Sequence, residues 1–256
     1  MRNANDHSAV ARAAELFTDI AESELLLDAE VSVLVKTLTP EEAIGTPMRR
    51  DFPIVVGKER VVEASLLGVR GHAFTDSPRE YAGSVRNALR LEASVNQNRA
   101  ILVAILNAAL KHLGLAQGTV HCRDDDPERC GAEVAAMLRQ RLDDRSTVGL
   151  VGLNPAIAEH LVAVFGAERV RITDLNPDTI GQVRFGVEIW NGATRTEDLV
   201  DAADAVLLTG TTLVNGTFDR IWGRIQERSK VGLVYGVTAA ATSALLGFER
   251  VCPYGR

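Results

Sequence analysis

The chain has 256 residues, of which 46% are hydrophobic, and a net charge of −6 at pH 7. This length allows one or two domains, and the apolar content is enough for buried cores. The negative charge disfavours a dedicated nucleic-acid binder, which would present a basic surface. We therefore expect a small molecule or a metal ion as the partner and no nucleic acid, while a homo-oligomer stays open.

Cysteine content and hydropathy bear on the compartment. Three cysteines do not make a disulfide framework, so we expect the reducing cytoplasm. The sequence has no stretch of 18 apolar residues, and its polar first six residues do not resemble a secretion signal. We therefore expect no membrane partner.

The first half of the chain shows the patterns of an α+β domain, which we place at residues 1–115. Helices are predicted at residues 8–27, from the capping box at 77–80 to about residue 91, and from Asn96 to the stop at Gly114. Strands are predicted at residues 31–38, 52–56 and 60–69, the last two forming a hairpin across Gly57-Lys58-Glu59.

Residues 116–146 are predicted to hold a linker and a connecting helix that begins at Asp126-Pro127. After residue 146, an apolar strand, a turn of small polar residues and a helix follow one another four times. This alternation predicts a Rossmann-like α/β domain at residues 147–256, with a five-stranded parallel sheet that includes a short extra strand, residues 186–190, at its edge. Ligands bind outside the carboxyl ends of the strands in such sheets.

Polar residues end the first two strands of this predicted sheet. Asn154 and Asn176 each precede a proline and are expected to begin a helix, whose free N–H groups suit an anion. Asp174 lies 22 residues after Gly152, near the expected position of a ribose-binding carboxylate. The turn lacks the glycine spacing of a dinucleotide fingerprint, and the asparagines have an alternative role as helix caps alone.

Hydroxyl groups and glycines end the next two strands. A loop of this composition can hold an anion or the polar edge of a ligand, although turns favour the same residues for backbone reasons. The residues concerned are Thr209, Gly210, Thr211, Thr212, Asn215 and Thr238.

An imidazole and two thiols, those of His121, Cys122 and Cys130, lie close together in the sequence. These groups ligate soft or borderline metals, although their spacing fits no standard zinc site. Cys130 is expected in the first turn of a helix, where the dipole lowers a thiol pKa. Alternatively, the cysteines are small buried apolar residues.

The segment that runs from the third strand to the capping box carries His72, Thr75 and Asp76, which are further candidates for the cleft. An imidazole and a carboxylate can act as acid and base or as ligands. A lone histidine near a loop also has an ordinary structural explanation. Arg99 and Asn107, polar residues in an apolar helix, are expected to snorkel or to line the domain boundary.

Taken together, these segments resemble a bacterial and archaeal family labelled putative heavy-metal chelation proteins. The motifs that carry the resemblance are residues 71–76, His121-Cys122 with residues 125–130, and residues 209–217. The resemblance implies an enolase N-terminal-like domain joined to a Rossmann-like domain. It brings no established catalytic residues with it.

Two functions follow as hypotheses. In the first, the protein binds a heavy-metal ion, or a metal-bearing or anionic small molecule, in a cleft between its domains. In the second, it is an enzyme that uses S-adenosylmethionine or a nicotinamide cofactor, with Asp174 on the ribose. A scaffold with a vestigial crevice is a third interpretation. We expect the strand-end loops to converge with residues 71–76 or 121–130.

Overall fold

The computed structural model describes residues 8–27 and 32–256. The elements of the first half are α1 (Ala9–Ser23), β1 (Ser32–Leu38), α2 (Pro40–Ile44), β2 (Arg60–Leu66), β3 (Val69–Thr75), β4 (Tyr81–Ser84), α3 (Val85–Ala88) and α4 (Asn96–His112). The four strands form an antiparallel sheet in the order β3-β2-β1-β4. Val31, with which the first strand was expected to begin, lies outside the described residues.

Two predictions from local sequence signals, the strand at residues 52–56 and the hairpin turn at residues 57–59, were wrong. Residues 52–56 form a turn and not a strand, because the backbone N–H groups of Val55 and Val56 both donate to Phe52 O. The predicted hairpin across residues 57–59 is therefore absent. Instead, β2 pairs with β3 through the two-residue turn Leu67-Gly68, and both residues have positive φ, as hairpin turns of this length require.

The capping box at residues 77–80 does not begin a helix. Strand β4 follows it directly and pairs with β1, so tertiary strand pairing overrides the local helix signal. The segment at residues 69–75, expected in part as a loop, is strand β3. His72 therefore lies in the middle of a sheet, where it is 1% exposed.

Helix α4 forms a layer between the antiparallel sheet and the second half of the chain. Every residue from Asn98 to Leu110 is buried, which explains why its apolar positions go all round the helix. Gly71 lets β3 approach α4 closely, since an added Cβ would overlap the backbone of Ala104 and Ala108. One apolar cluster includes residues of β1, α4 and β9. The predicted domain division at residue 115 stays a prediction.

The second half contains a larger, mostly parallel sheet with helices on both faces. Its elements are α5 (Asp126–Arg141), β5 (Val148–Val151), α6 (Pro155–Phe165), β6 (Val170–Asp174), β7 (Val183–Arg184), β8 (Val187–Asn191), α7 (Gly192–Ala202), β9 (Ala205–Thr209), α8 (Thr211–Asn215), α9 (Phe218–Glu227), β10 (Val231–Tyr235), α10 (Ala240–Leu246) and β11 (Arg250–Val251). The predicted fold class, a Rossmann-like sheet preceded by a smaller α+β unit, is confirmed.

The strand order is β11-β10-β9-β5-β6-β8-β7, so the sheet has seven strands where five were predicted. All neighbours pair in parallel except β7, which adds to β8 as an antiparallel edge. The strand predicted at the edge, β8, therefore lies one position inside it. Strand order reverses between β5 and β9, which is where such sheets open a crevice.

The helices cover the sheet according to their apolar faces. Helices α5 and α6 pack on one face in a cluster that includes Leu138, Leu161 and Leu207. On the other face, Leu208 packs in the cluster that contains α4. Among the helices in the described ranges, none combines the length and the apolarity needed to cross a membrane.

Candidate functional site

A cleft of about 700 Å³ lies where the carboxyl ends of the parallel strands meet the first half of the chain. Both groups of predicted residues line it. From the parallel sheet these are Asn154, Asp174, Asn176, Thr209, Gly210, Thr211, Asn215 and Thr238, and from the first half and the linker they are Thr75, Asp76 and His121. Thr212 lines a smaller adjoining pocket of about 110 Å³. His72, Cys122 and Cys130 are not among the lining residues.

The floor of the cleft is the reversal point between β5 and β9. Gly152 has a φ of 88°, and an added Cβ would lie 2.6 Å from the Thr209 side chain. The hydroxyl of Tyr235 donates to Gly152 O at 2.9 Å. These contacts bring three strand ends together without a bulky side chain between them.

Asp174 organises the loops of the cleft with its carboxylate. Its Oδ2 accepts from Leu153 N and its Oδ1 from Asn176 N, both at 2.6 Å. Burial raises the pKa of Asp174, while these backbone N–H groups act in the opposite direction. Both carboxylate oxygens therefore hold the turn after β5 against the end of β6. Asp174 is the residue that was predicted to contact a ribose.

The two asparagines behave as caps. Asn154 Oδ1 accepts from Ile157 N at 3.1 Å at the start of α6. Asn176 Oδ1 accepts from Asp178 N at 3.0 Å, but residues 176–181 form turns, so the helix expected at Pro177 is absent. The capping alternative accounts for both side-chain oxygens.

The threonines form a hydrogen-bonded turn at the end of β9. Thr211 N donates to Thr209 Oγ1 at 3.3 Å, and Thr212 Oγ1 donates to Thr209 O at 2.6 Å. Asn215 Oδ1 accepts from Thr217 N at 3.1 Å. Thr238 Oγ1 accepts from Phe74 N at 3.1 Å and thereby joins the loop after β10 to β3.

Glu59 is a cleft residue that the sequence analysis missed. It lines both pockets and is half-buried. Burial, together with the negative charges of Asp174 and Asp76, raises its pKa to about 7, and a hydrogen bond with the Thr211 side chain acts in the opposite direction. Glu59 was not identified as a candidate because it was assigned to the predicted hairpin turn at residues 57–59. A glutamate in a turn does not by itself indicate a binding site.

His121 is held as a neutral imidazole. Its Nδ1 lies 2.6 Å from Cys122 O, a contact that requires the proton on Nδ1. Burial lowers its pKa to about 4. The Phe74 ring lies 5.1 Å away, centre to centre. The Nε2 lone pair is therefore the one left for a ligand in the cleft.

His72 supports this arrangement from behind the cleft. Its Nδ1 accepts from His121 N at 3.2 Å, so its Nε2 carries the proton and donates to Glu63 Oε2 at 2.9 Å. This hydrogen bond lowers the pKa of Glu63. Lys36 and Arg70 lie within ion-pair distance of the same carboxylate. His72 positions the backbone of residue 121 and does not face the cleft.

The cysteines lie together, and Cys252 joins them. Burial raises the pKa of all three thiols, that of Cys130 to about 12, and the thiolate charges of Cys130 and Cys252 add to the rise at Cys122. The expected lowering of the Cys130 pKa at the helix start is wrong, because burial desolvates the thiol and raises its pKa. Across residues 8–27 and 32–256, no three His, Cys, Asp or Glu side chains are arranged to hold a metal ion.

Two basic side chains line the cleft. Lys58 pairs with Asp178. Arg184, at the end of β7, has a buried Nε with no hydrogen-bond partner in the part of the chain that the structure describes. Arg184 could not be identified from the sequence, since the β7–β8 hairpin was not predicted.

Comparisons with known proteins bear on the family. Residues 135–249 match the model of the DUF364 family, described as putative heavy-metal chelation. A protein of unknown function from this family in Pyrococcus horikoshii has a similar structure, with 16% identity, a TM-score of 0.53 and coverage of 90% of this chain and 80% of that one. Another, from Desulfitobacterium hafniense, has 12% identity, a TM-score of 0.51 and coverage of 73% and 72%.

At these identities the two structures bear on the fold alone. No curated protein matches the chain. The family that the sequence motifs predicted is nevertheless the one whose model the parallel-sheet segment matches. The family model that residues 135–249 of this chain match is therefore that of the putative heavy-metal chelation proteins.

Proposed function

We propose that the cleft binds a metal-bearing or anionic small molecule and not a bare metal ion. The observation that carries this proposal is the size of the cleft, about 700 Å³, in the absence of any three converging metal ligands among the described residues. Cavities of this size hold organic ligands. The family description supplies the connection to metals.

The side chains that line the cleft suit a metal that arrives with ligands of its own. His121 Nε2 and the carboxylate of Glu59 are N and O donors, which suit borderline metal ions. The hydrogen bond from His121 Nδ1 to Cys122 O fixes the ring as outer contacts do around metal-bound histidines. In this role the protein adds one or two donors to a complex whose other ligands belong to the small molecule.

The cysteine group is the competing metal site. Its members, Cys122, Cys130 and Cys252, lie outside the cleft lining, and each thiol has a raised pKa. Thiolates are the form that binds metals, so desolvation weakens such a site at neutral pH. We therefore rank the ligand set His121, Cys122 and Cys130 below the cleft as a candidate metal-binding site.

One observation supports the alternative hypothesis of an enzyme with a nucleotide-type cofactor, namely the reversal of strand order at the floor of the cleft. Against it, both oxygens of Asp174 accept backbone N–H groups. A melting-temperature rise with S-adenosylmethionine, and none with metal complexes, would favour this alternative.

Dialysis tests the proposal. The reduced protein is dialysed against Ni²⁺, Zn²⁺ and Fe³⁺, each as the aquo ion or as its citrate complex, then desalted and analysed for metal. We expect retention from a citrate complex only. Val56→Trp should reduce it, because Val56 is an exposed lining residue and the larger ring narrows the cleft.

The controls are Leu34→Trp, which enlarges an equally exposed side chain outside the cleft, and the double substitution Cys122→Ser with Cys130→Ser. Both should retain the complex. Stoichiometric uptake of an aquo ion that disappears in the double cysteine variant would instead locate the metal at the thiols, and the cleft proposal would be wrong.

A further inference from the structure

Arg184 has a fixed place at the edge of the parallel sheet. It is the second residue of β7 and pairs with Val187 across a two-residue turn. The turn residues, Phe185 and Gly186, have φ values of 51° and 79°, as tight hairpin turns require. Gln182, Arg184 and Phe185 all line the cleft, so the hairpin forms one of its walls.

The Nε of Arg184 is an unsatisfied donor. This atom is buried and has no acceptor, and no described residue forms an ion pair or a side-chain hydrogen bond with Arg184. The other basic residue of the lining, Lys58, is paired with Asp178. Buried N–H donors of a guanidinium are normally hydrogen-bonded, since an unmet charged donor is costly.

The carboxylates of the cleft are engaged elsewhere. Asp76 Oδ1 accepts from Asn96 Nδ2 at 2.9 Å, Asp174 accepts backbone N–H groups, and Glu59 bonds the Thr211 side chain. None of them reaches Arg184. The cleft thus has an acidic wall and, at the hairpin, a separate cationic group, and an anion is repelled from the first and attracted to the second.

We propose that Arg184 binds the anionic group, a carboxylate or a phosphate, of the small molecule that occupies the cleft. This inference rests on the proposed function and names the charged end of its ligand. A guanidinium offers two parallel N–H donors that match either anion. The buried Nε is one of the donors that such a pair would use. The acidic wall repels the anionic group, so the opposite end of the ligand lies at that wall.

The test uses citrate and inorganic phosphate, without metal, as separate probes in isothermal titration calorimetry on the intact chain. We expect wild-type protein to bind at least one of them. Arg184→Met should weaken that binding about tenfold or more, and Arg184→Lys by less, because lysine keeps the charge but not the paired donors. Arg90→Met removes the same charge at an exposed position outside the lining and should change nothing.

Thermal unfolding without ligand separates a ligand-binding role from a structural one. Because the Nε has no partner to lose, Arg184→Met should unfold at the wild-type temperature or above it. A lower unfolding temperature would mean that Arg184 stabilises the fold, and the inference would be overturned. It is equally overturned if wild type and Arg184→Met bind both anions alike, or if wild type binds neither.

The two proposals fail differently. Uptake of a metal–citrate complex that Val56→Trp reduces and Arg184→Met leaves intact would keep the cleft function and remove Arg184 from it. If neither the complex nor the free anions bind wild-type protein, the cleft function fails as well. Binding of citrate but not phosphate assigns a carboxylate ligand, and the reverse assigns a phosphate.

Discussion

Asn107 Oδ1 accepts a 2.7 Å hydrogen bond from the backbone N–H of Ala241, and both residues are fully buried. The Nδ2 of the same side chain donates to His72 O at 2.8 Å and to Val237 O at 3.1 Å. One amide in α4 thus connects β3 with the loop after β10 that carries Thr238. Of the two roles expected for Asn107, snorkelling is excluded, since its side chain has no contact with solvent.

Replacing Asn107 with leucine should lower the free energy of unfolding by about 2 to 4 kcal/mol, because it leaves several buried backbone groups unpaired. Urea denaturation measures the change. Asn87→Leu, at an exposed position in α3, is the matched control and should stay within about 0.5 kcal/mol of wild type. Equal stability of the two variants would show that α4 does not depend on this amide.

Glu59 should make stability depend on pH. Its pKa of about 7 in the folded chain lies above the ordinary value of 4.5. The folded state therefore binds a proton that the unfolded state has lost, and the stability contribution of Glu59 falls as the pH rises from 4.5 to 7. Glu59→Gln should stabilise the protein at pH 8 by about 1 to 2 kcal/mol and have little effect at pH 4.5.

Urea denaturation of wild type and Glu59→Gln at the two pH values gives the difference directly. Glu80→Gln, a change at an exposed residue, controls for the loss of one negative charge. If the two glutamine variants differ from wild type by the same amount at pH 8, the carboxyl of Glu59 is not perturbed by the cleft.

His121 should stay neutral and in one tautomer through the physiological range. Its pKa of about 4 lies below the ordinary 6.5, so its contribution to stability is complete above pH 6.5 and is lost as the pH falls towards 4. Long-range ¹⁵N–¹H spectra should show a protonated Nδ1 and an unprotonated Nε2, unchanged from pH 8 to 5.5. A titration with a midpoint near 6.5 would contradict the buried imidazole.

Gly71→Ala should be strongly destabilising, by about 2 to 4 kcal/mol, because the added methyl group meets the α4 backbone, which cannot move aside. Gly223→Ala is the informative comparison. Gly223 lies inside α9 with open space around it, so alanine there should stabilise by about 0.5 to 1 kcal/mol. Thermal unfolding of both variants should give shifts of opposite sign.

The parallel strands could be predicted from the sequence because burial on both faces leaves a direct trace. Val148–Val151 is buried at every position, and its sequence is correspondingly apolar without alternation. The first half leaves a weaker trace. The segment at residues 77–80 has the sequence of a helix start, but strand pairing with β1 decides its structure, and that pairing involves residues far away in the chain.

The residues of the candidate site also divide into those that could be predicted from the sequence and those that could not. Asp174, Thr211 and His121 could be located because they follow strands or belong to a motif. Glu59 and Arg184 could not, since their importance comes from neighbours that only the tertiary structure supplies. Cys252 joins Cys122 and Cys130 because the carboxyl-terminal segment folds back, with Arg256 N donating to Val120 O at 2.8 Å.

The continuous burial of α4 has a consequence for how a ligand enters. A hinge motion that separated the two sheets would expose apolar surface along most of this helix and break the bonds of Asn107. The back of the cleft is therefore rigid. Access is left to the segments of its rim, the turn at residues 52–59 and the β7–β8 hairpin, which line the cleft opposite walls that are already in place.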